Sequence, residues 1–270
     1  MNPLREISLV AGRELSRTLR SVKGLALLVL ALLGAVLLSS LASALDDVGG
    51  SAVDVTMRAS AYRAMYGDAE VAQRLARAPA LLVTVDFAAT GLAPLFVLLV
   101  GFDAVAADLQ HRTLRFFTVR TRRSSYYVGK VLGLFAVVAT ISTLTHLVAW
   151  GVLIARGLLT FEAMLSWGPL LLVSLMPIAL AWSALAVLFS SLFRQPFLAL
   201  IFGFVGYVSL AIAQAWLSHA KLPALVYPSS FDRWLLHPSP ANALTGLALS
   251  VGFALVLSTL GVSIFARRDA

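Results

Sequence analysis

The 270-residue chain contains no cysteine, and only 13% of its residues are charged. Without cysteine it can form no disulfide bond, no thiolate metal site and no cysteine nucleophile. Its histidines lie in different segments, at His111, His146, His219 and His237. We therefore expect no clustered metal site, because metal-binding histidines usually recur at short spacings.

The chain also lacks the motifs of the common nucleotide-binding and hydrolytic sites. A phosphate loop would read G-x-x-x-x-G-K-[ST], but Gly129-Lys130 is followed by Val131, and Ser124 stands where the first glycine would be. Neither H-E-x-x-H nor G-x-S-x-G occurs. We therefore expect no catalytic residue, no metal and no cofactor in this chain.

Apolar residues make up 60% of the chain, and its mean hydropathy is +0.90. Several uninterrupted apolar runs have about the 20 residues that a helix needs to cross a bilayer. The predicted spans are 24–44, 81–107, 131–155, 167–193, 197–217 and 241–265. The fold class predicted is an all-α integral membrane protein, with six transmembrane helices in a single domain over residues 1–270.

The basic residues predict how these spans are oriented. Lysine and arginine number 14 in the segments on the side of the two termini and seven on the other side. An excess of positive charge marks the cytoplasmic side, so both termini are expected there, and the protein is expected in the cytoplasmic (inner) membrane as a multi-pass protein. The net charge of +8 then reflects contact with anionic lipid. Nucleic acid is not an expected partner.

Residues 1–23 precede the first span and combine arginines with an apolar stripe. The stripe recurs near helical spacing at Leu4, Ile7, Ala11, Leu15 and Leu19. This pattern favours an amphipathic helix lying along the membrane interface. The alternative is a positively charged flank that only orients the first span.

Residues 103–130, between the second and third predicted spans, form a basic segment. Phe116 and Phe117 sit among its five arginines, Arg112, Arg115, Arg120, Arg122 and Arg123. A short basic segment with aromatic anchors is expected on the cytoplasmic membrane face. At its end, Gly129 and Gly133 have the G-x-x-x-G spacing that permits close helix approach.

Three polar residues in or near the spans are candidates for a substrate path: Asp86, His146 and Gln214. His146 either bonds a neighbouring helix through its ring nitrogens or handles substrate or protons. Asp86 either lines an external vestibule or sits at the membrane interface, and Gln214 is equally open. No residue clearly couples transport to an ion gradient, so the energy would have to come from a partner.

The basic segment resembles that of the permease subunits of ABC-2 type ABC transporters. Those proteins often carry a D-x-[IV]-[AS]-x-[ED] turn after the second span, then a G-T-L-R-like helix start, then a basic stretch that closes with G-K. The matching residues are Asp103, Val105, Ala106 and Asp108, then Thr113, Leu114 and Arg115, then Arg122, Arg123, Ser124, Gly129 and Lys130. The terminal F-A-R-R-D at 265–269 is also typical. Arg112 replaces a frequent glycine, and Asp108 a frequent glutamate.

The resemblance implies a transporter subunit, not an enzyme. Such a permease pairs with a second copy or a sister permease and docks two ATP-binding subunits, which hold ATP-Mg and supply the energy, most often for export. It also implies that residues 108–127 form a cytoplasmic coupling segment that contacts the ATPase. The implied coupling residues are Asp108, Arg112, Thr113, Leu114, Arg115, Phe116, Phe117, Arg120, Arg122 and Arg123.

Within that segment, Phe116 and Phe117 would fill an apolar groove on the ATPase while the arginines meet carboxylates at its rim. Asp108 and Arg112, four residues apart, would pair across one helical turn. The alternative is that the segment binds only lipid headgroups. For the whole chain, the alternatives are a stand-alone secondary transporter or channel, or an intramembrane enzyme that uses His146.

Overall fold

The computed structural model describes residues 2–49, 55–113, 121–219 and 227–267, and the regular elements in these ranges are all helical. A 3-10 helix lies at Pro228–Phe231. The α-helices are Pro3–Arg20 (α1), Val22–Gly49 (α2), Val55–Tyr66 (α3), Ala69–Ala76 (α4), Ala80–Gly101 (α5), Ala106–Gln110 (α6), Arg123–Ala155 (α7), Phe161–Leu192 (α8), Pro196–His219 (α9), Asp232–Leu235 (α10) and Pro240–Ala266 (α11).

Six helices in the described part of the chain are long and apolar enough to cross a membrane: α2, α5, α7, α8, α9 and α11. The prediction of an all-helical protein with six candidate spans is therefore confirmed, and such a protein is expected to be a multi-pass membrane protein. The 33 residues of α7 make a helix about 50 Å long. That exceeds the roughly 30 Å of bilayer hydrocarbon, so α7 must tilt or extend beyond it.

The second predicted span, 81–107, is not one continuous helix. α5 ends at Gly101, and a turn leads from there into α6 at Ala106. The Ser190 hydroxyl on α8 accepts hydrogen bonds from the backbone nitrogens of Val105 and Ala106, at 2.9 and 3.0 Å. These bonds satisfy amide groups that a helix start otherwise leaves unpaired, so a second helix can begin there.

α8 is the central helix of the bundle. In the most apolar 18-residue stretch of α8, 67% of the residues are buried, whereas the corresponding stretches of α2 and α9 are 17% and 11% buried. It packs against α5, α7, α9 and α11. Its own Trp182 and Ile178 join Val97 of α5 and Val138 of α7 in one buried cluster. α2 and α9 therefore lie at the periphery, with most of their apolar surface facing outward.

The bundle has two ends that differ in chemistry. At the junction end, α2, α7 and α9 begin while α5, α8 and α11 finish, and there Arg123 on α7 donates a hydrogen bond to the carbonyl oxygen of Ala266 (2.8 Å). At the opposite cap end, α3, α4 and the segment 227–239 cover the helices. Helices α1 and α6 lie at the junction end, where they contact α7 and α8 respectively.

The cap end is held by side chains that cross between loops. The two short helices α3 and α4 lie at this end. Arg74 on α4 donates hydrogen bonds to the carbonyl oxygens of Leu236 and His237, both at 3.0 Å. Tyr66 and Leu75 are buried with Leu236 in the same apolar cluster. These hydrogen bonds thus join two parts of the cap end that lie more than 160 residues apart in the chain.

The segment 227–239 enters the bundle. Ser229 accepts a hydrogen bond from the indole nitrogen of Trp182 on α8 (3.1 Å) and donates one to the carbonyl oxygen of Thr90 on α5 (3.2 Å). Phe231 is buried and contacts Phe253 of α11, with ring centroids 6.2 Å apart. Protein side chains therefore enclose Ser229 and Phe231.

Candidate functional site

The site begins with an unusually close contact between α1 and α7. A Cβ placed on Gly129 would lie 2.6 Å from the Cβ of Val10, and one on Gly133 would lie 2.6 Å from the Cβ of Glu14. No larger residue fits at either glycine without displacing α1. The G-x-x-x-G spacing therefore marks a close helix contact, as predicted, and the partner helix is α1.

The buried face of α1 is not its apolar stripe. The residues at less than one-tenth exposure recur every four positions, at Glu6, Val10, Glu14 and Thr18. Leu4, at the start of the predicted stripe, is 72% exposed, and the remainder of the stripe is half-buried. α1 therefore turns a face containing two glutamates toward α7. That face can be buried only if the glutamates find partners there.

Glu14 and its partners form a cluster of four charged side chains and one tyrosine, which we call the junction cluster: Glu14 and Arg17 of α1, Asp108 of α6, and Tyr126 and Lys130 of α7. The Lys130 ammonium lies 2.8 Å from Oε2 of Glu14 and 2.7 Å from Oδ2 of Asp108. The side chains of Lys130, Glu14 and Asp108 are 5%, 6% and 10% exposed. One buried lysine thus links three helices.

The junction cluster is balanced in charge and well hydrogen-bonded. Tyr126 donates to Oδ2 of Asp108 (2.5 Å), and Thr113 donates to Oδ1 (3.0 Å). Arg17 donates to Oε1 of Glu14 (2.8 Å) and lies 3.7 Å from Oδ1 of Asp108. Burial lowers the pKa of Arg17, but the carboxylates of Glu14 and Asp108 outweigh it and raise that pKa overall. Two carboxylates thus face two cations, the arrangement that buried charge requires.

Glu6 makes a second contact between α1 and α7. Its Oε2 accepts a hydrogen bond from the backbone nitrogen of Arg122 (3.1 Å), the residue that immediately precedes α7. This bond is the largest contribution that lowers the pKa of Glu6. A carboxylate is also favoured at a helix N-terminus by the helix dipole. α7 is therefore capped by a side chain from another helix.

A partly exposed ion pair fastens the turn between α5 and α6. Lys23 of α2 forms an ion pair with Asp103, and its ammonium also donates to the carbonyl oxygen of Val100 (2.8 Å). The same ammonium lies 4.7 Å from the ring centroid of Phe102. Both acidic residues of the motif, Asp103 and Asp108, therefore pair with a lysine from a membrane-spanning helix.

The structure places some of the predicted coupling residues and corrects one prediction about them. Asp108 belongs to the junction cluster and accepts a hydrogen bond from Thr113. Arg112 is exposed and adopts a left-handed backbone conformation with φ of 55°. Because α6 ends at Gln110, the predicted Asp108–Arg112 pair across a helical turn is wrong. The ion-pair partners of Asp108 are Lys130 and Arg17.

The remaining coupling residues divide into two groups. Arg122 and Arg123 lie at the start of α7, eight residues before the third predicted span, so residues 123–127 of the predicted coupling segment belong to this helix. The others fall outside the described residues: Leu114, Arg115, Phe116, Phe117 and Arg120.

No protein-family model and no curated protein matches this chain.

The three candidates for a substrate path do not converge. A cleft of about 290 Å³ lies among α2, α5, α7 and α8, and of the three only His146 lines it. Asp86 is 2% exposed near the start of α5, and Gln214 is half-buried on α9. His146 bonds the carbonyl oxygen of Ser142 on its own helix, at 2.8 Å, and not a neighbouring helix.

Four residues of the site were not predicted from the sequence: Glu6, Glu14, Arg17 and Tyr126. One sequence signal could have found the two glutamates, since they are the only acidic residues among the first 45 and stand eight positions apart on a basic helix. Eight residues correspond to slightly more than two helical turns, so the two carboxylates share a face. No comparable signal distinguishes Arg17 from the other arginines of α1.

Proposed function

We propose that this chain is the transmembrane permease subunit of an ATP-binding cassette transporter of the ABC-2 type. In this proposal two such subunits, or one with a sister permease, dock two ATP-binding subunits. Hydrolysis there drives export of a substrate across the cytoplasmic membrane. The observation that carries the proposal is the junction cluster, which fastens the start of the resembling motif to α1 and α7 through buried charges.

A coupling segment must transmit displacement without absorbing it. Asp103 is tied to α2 and Asp108 to α7 and α1, so the chain entering the segment is held at two points five residues apart. Removing one partner of a buried ion pair typically costs about 3–5 kcal/mol, because the other charge is left uncompensated. A push on residues 114–120 would therefore move α1, α6 and α7 together before it broke these contacts.

The proposed orientation places the junction end in the cytoplasm. The basic segments that support it are residues 1–23, 103–130 and the two short segments around Arg194 and Arg267. These would face anionic lipid and the acidic rim of an ATPase. The cap end, with α3, α4 and residues 227–239, would then face the outside.

A second candidate is a proton-coupled secondary transporter that acts alone. It is favoured by two buried polar atoms that have no hydrogen-bond partner among the described residues, Oδ1 of Asp86 and Nε2 of His146. Ionisable side chains within spans are costly and often mark transport paths. The two candidates differ in energy source: only the second predicts transport by the purified chain in vesicles with a pH gradient and no ATP.

The permease proposal is tested by purifying the tagged chain from the membranes of its native cell. We expect an ATP-binding subunit to co-purify with it and to hydrolyse ATP faster in the complex than alone. Replacing both Phe116 and Phe117 with aspartate should leave membrane insertion intact and abolish that stimulation, because charged side chains cannot fill an apolar groove.

The matched control is Phe161→Asp, which alters a 61% exposed phenylalanine at the start of α8, at the cap end. It should leave ATPase stimulation unchanged. Absence of any ATP-binding subunit from the wild-type preparation would refute the proposal. So would full ATPase stimulation in the double aspartate variant.

A further inference from the structure

The cleft among α2, α5, α7 and α8 is elongated along the helix axes. On α2 its lining runs from Leu27 to Leu38, and on α5 from Val85 to Leu99. At 1.5 Å per residue these stretches are about 17 Å and 21 Å long. One leaflet supplies roughly 15 Å of hydrocarbon, half the thickness of the bilayer core. The cleft is therefore as long as a single extended lipid chain.

The lining of the cleft is apolar and carries no charged side chain. Its polar members, Ser142, Thr145 and His146, all lie on α7. The hydroxyl of Thr145 is already used, since it donates to the carbonyl oxygen of Ile141 on its own helix (2.8 Å). Such a surface suits an uncharged, largely hydrocarbon ligand, and the volume is near the lower end for small-molecule sites, roughly 300 Å³.

Buried residues lie beside the cleft toward the cap end, and exposed residues bound it along its length. Ala35 of α2, Val85 of α5 and Ala149 of α7 pack together and are buried. Leu30 and Leu92, which line the cleft, are 65% and 56% exposed, so its rim faces outward from the bundle. In a bilayer this rim meets lipid hydrocarbon. A chain can therefore enter sideways.

His146 lies one helical turn before Ala149 and has one unused hydrogen-bonding atom. Its Nδ1 is 2.8 Å from the carbonyl oxygen of Ser142, which can only accept, so Nδ1 carries the ring hydrogen. In the neutral ring Nε2 is then an acceptor. Nε2 is buried and has no hydrogen-bond partner among the described residues. A buried acceptor without a partner costs free energy that a ligand donor would recover.

We propose that this cleft binds one single-chain amphiphile with a neutral hydroxyl. Its hydrocarbon chain lies along α2 and α5, and its hydroxyl donates to Nε2 of His146 once a shift of the ring opens this buried atom to the cleft. A carboxylate ligand is disfavoured because it has no hydrogen to donate and because the lining offers no cation. This inference goes beyond the proposed function, since binding requires neither ATP nor a partner subunit.

The test uses a diazirine-bearing dodecyl alcohol and its methyl ether, which has the same chain but no donor. The full-length chain is reconstituted in phosphatidylcholine vesicles, irradiated with each probe, and its labelled peptides are quantified by mass spectrometry. We expect the alcohol to label the cleft peptides of α2, α5 and α7 roughly fivefold more than the ether, the ratio that one hydrogen bond of typical net strength supplies.

Two variants distinguish the effect of the hydrogen bond to His146 from the effect of the free volume of the cleft. His146→Leu should make alcohol and ether label equally, because the acceptor is gone. Gly34→Leu should reduce labelling by both probes, because Gly34 lines the cleft and a side chain there meets open space. Gly151→Leu is the matched control, since it also has open space but does not line the cleft. It should label as the wild type does.

Two results would overturn the proposal. Equal labelling of the wild type by alcohol and ether would show that the cleft takes plain hydrocarbon, such as a lipid acyl chain. Unchanged probe labelling in Gly34→Leu, with loss of chemical cross-linking between two copies, would show that a second copy covers the cleft. Because no ATPase assay is involved, either failure leaves the permease proposal to its own test.

Discussion

Replacing Lys130 with methionine should detach α1 from the bundle more readily. In the wild type, docking of α1 brings Glu14 within 2.8 Å of the Lys130 ammonium. In Lys130→Met, docking would bury Glu14 next to the Asp108 carboxylate, with only Arg17 to compensate both. Loss of one partner from a buried pair costs about 3–5 kcal/mol. We take the lower value, about 3 kcal/mol, because Arg17 remains bonded to Glu14.

The natural absence of cysteine makes this detachment measurable. In a Val10→Cys background the single thiol lies on the buried face of α1, where Val10 is 9% exposed. It reacts with a water-soluble maleimide only when α1 leaves α7. A cost of about 3 kcal/mol corresponds to roughly a 100-fold faster labelling rate, if detachment and return are fast compared with the reaction.

Two further variants make the measurement decisive. Lys23→Met makes the same substitution in an ion pair that is 30% exposed on both sides, and it should change labelling less than about fivefold. Adding Glu14→Gln to Lys130→Met removes the uncompensated charge and should recover most of the lost docking. If Lys130→Met labelled no faster than Lys23→Met, Lys130 would not hold α1, and the rigid coupling derived from it would fail.

Two predictions concern pH. Because the folded-state pKa of Glu6 lies below its ordinary value of 4.5, its contribution to stability is present above that value and is lost as the pH falls through the folded-state pKa. The temperature of unfolding should therefore drop in acid, and Glu6→Gln should flatten this drop; an unchanged acid profile would exclude Glu6 as its source. Burial raises the pKa of Asp232 to about 7 from 3.8, so ionising this carboxylate should cost stability increasingly from pH 3.8 to about 7. Asp232→Asn should stabilise the protein above that range, by less than about 4 kcal/mol, since the residue is only half-buried; no gain at high pH would contradict this.

The junction cluster also bears on how α1 is held. Apolar residues that buried a similar area would hold α1 against α7 at least as well as these ion pairs do, because desolvation offsets much of the attraction in buried ion pairs. Charge adds a constraint on geometry: Lys130 can reach both Glu14 and Asp108 only when α1, α6 and α7 stand at one relative position. The cluster therefore defines one position of α1 against α7, and a displaced position would leave charges unpaired.

The sequence by itself determined the six long apolar helices. A run of about 20 apolar residues cannot satisfy its backbone hydrogen bonds in lipid except within the run, so length and hydropathy suffice to predict a helix. The close approach at Gly129 and Gly133 was also predictable, because it depends on residues four apart. The ends of the helices were harder to predict from the sequence. For example, α6 begins where the backbone bonds Ser190, which lies 84 residues from Ala106 in the chain.

Only the tertiary structure decided which charges are buried and what they bind. Glu14 and Lys130 are 116 residues apart, and a hydropathy pattern treats each as a surface residue. Burial of either becomes favourable only when the fold delivers the opposite charge at hydrogen-bonding distance. The same reasoning explains why Glu6 caps α7 and why residues 227–239 enter the bundle. Glu6 depends on Arg122 and Ser229 depends on Trp182. Packing brings each pair within hydrogen-bonding distance, and no local sequence pattern predicts either pair.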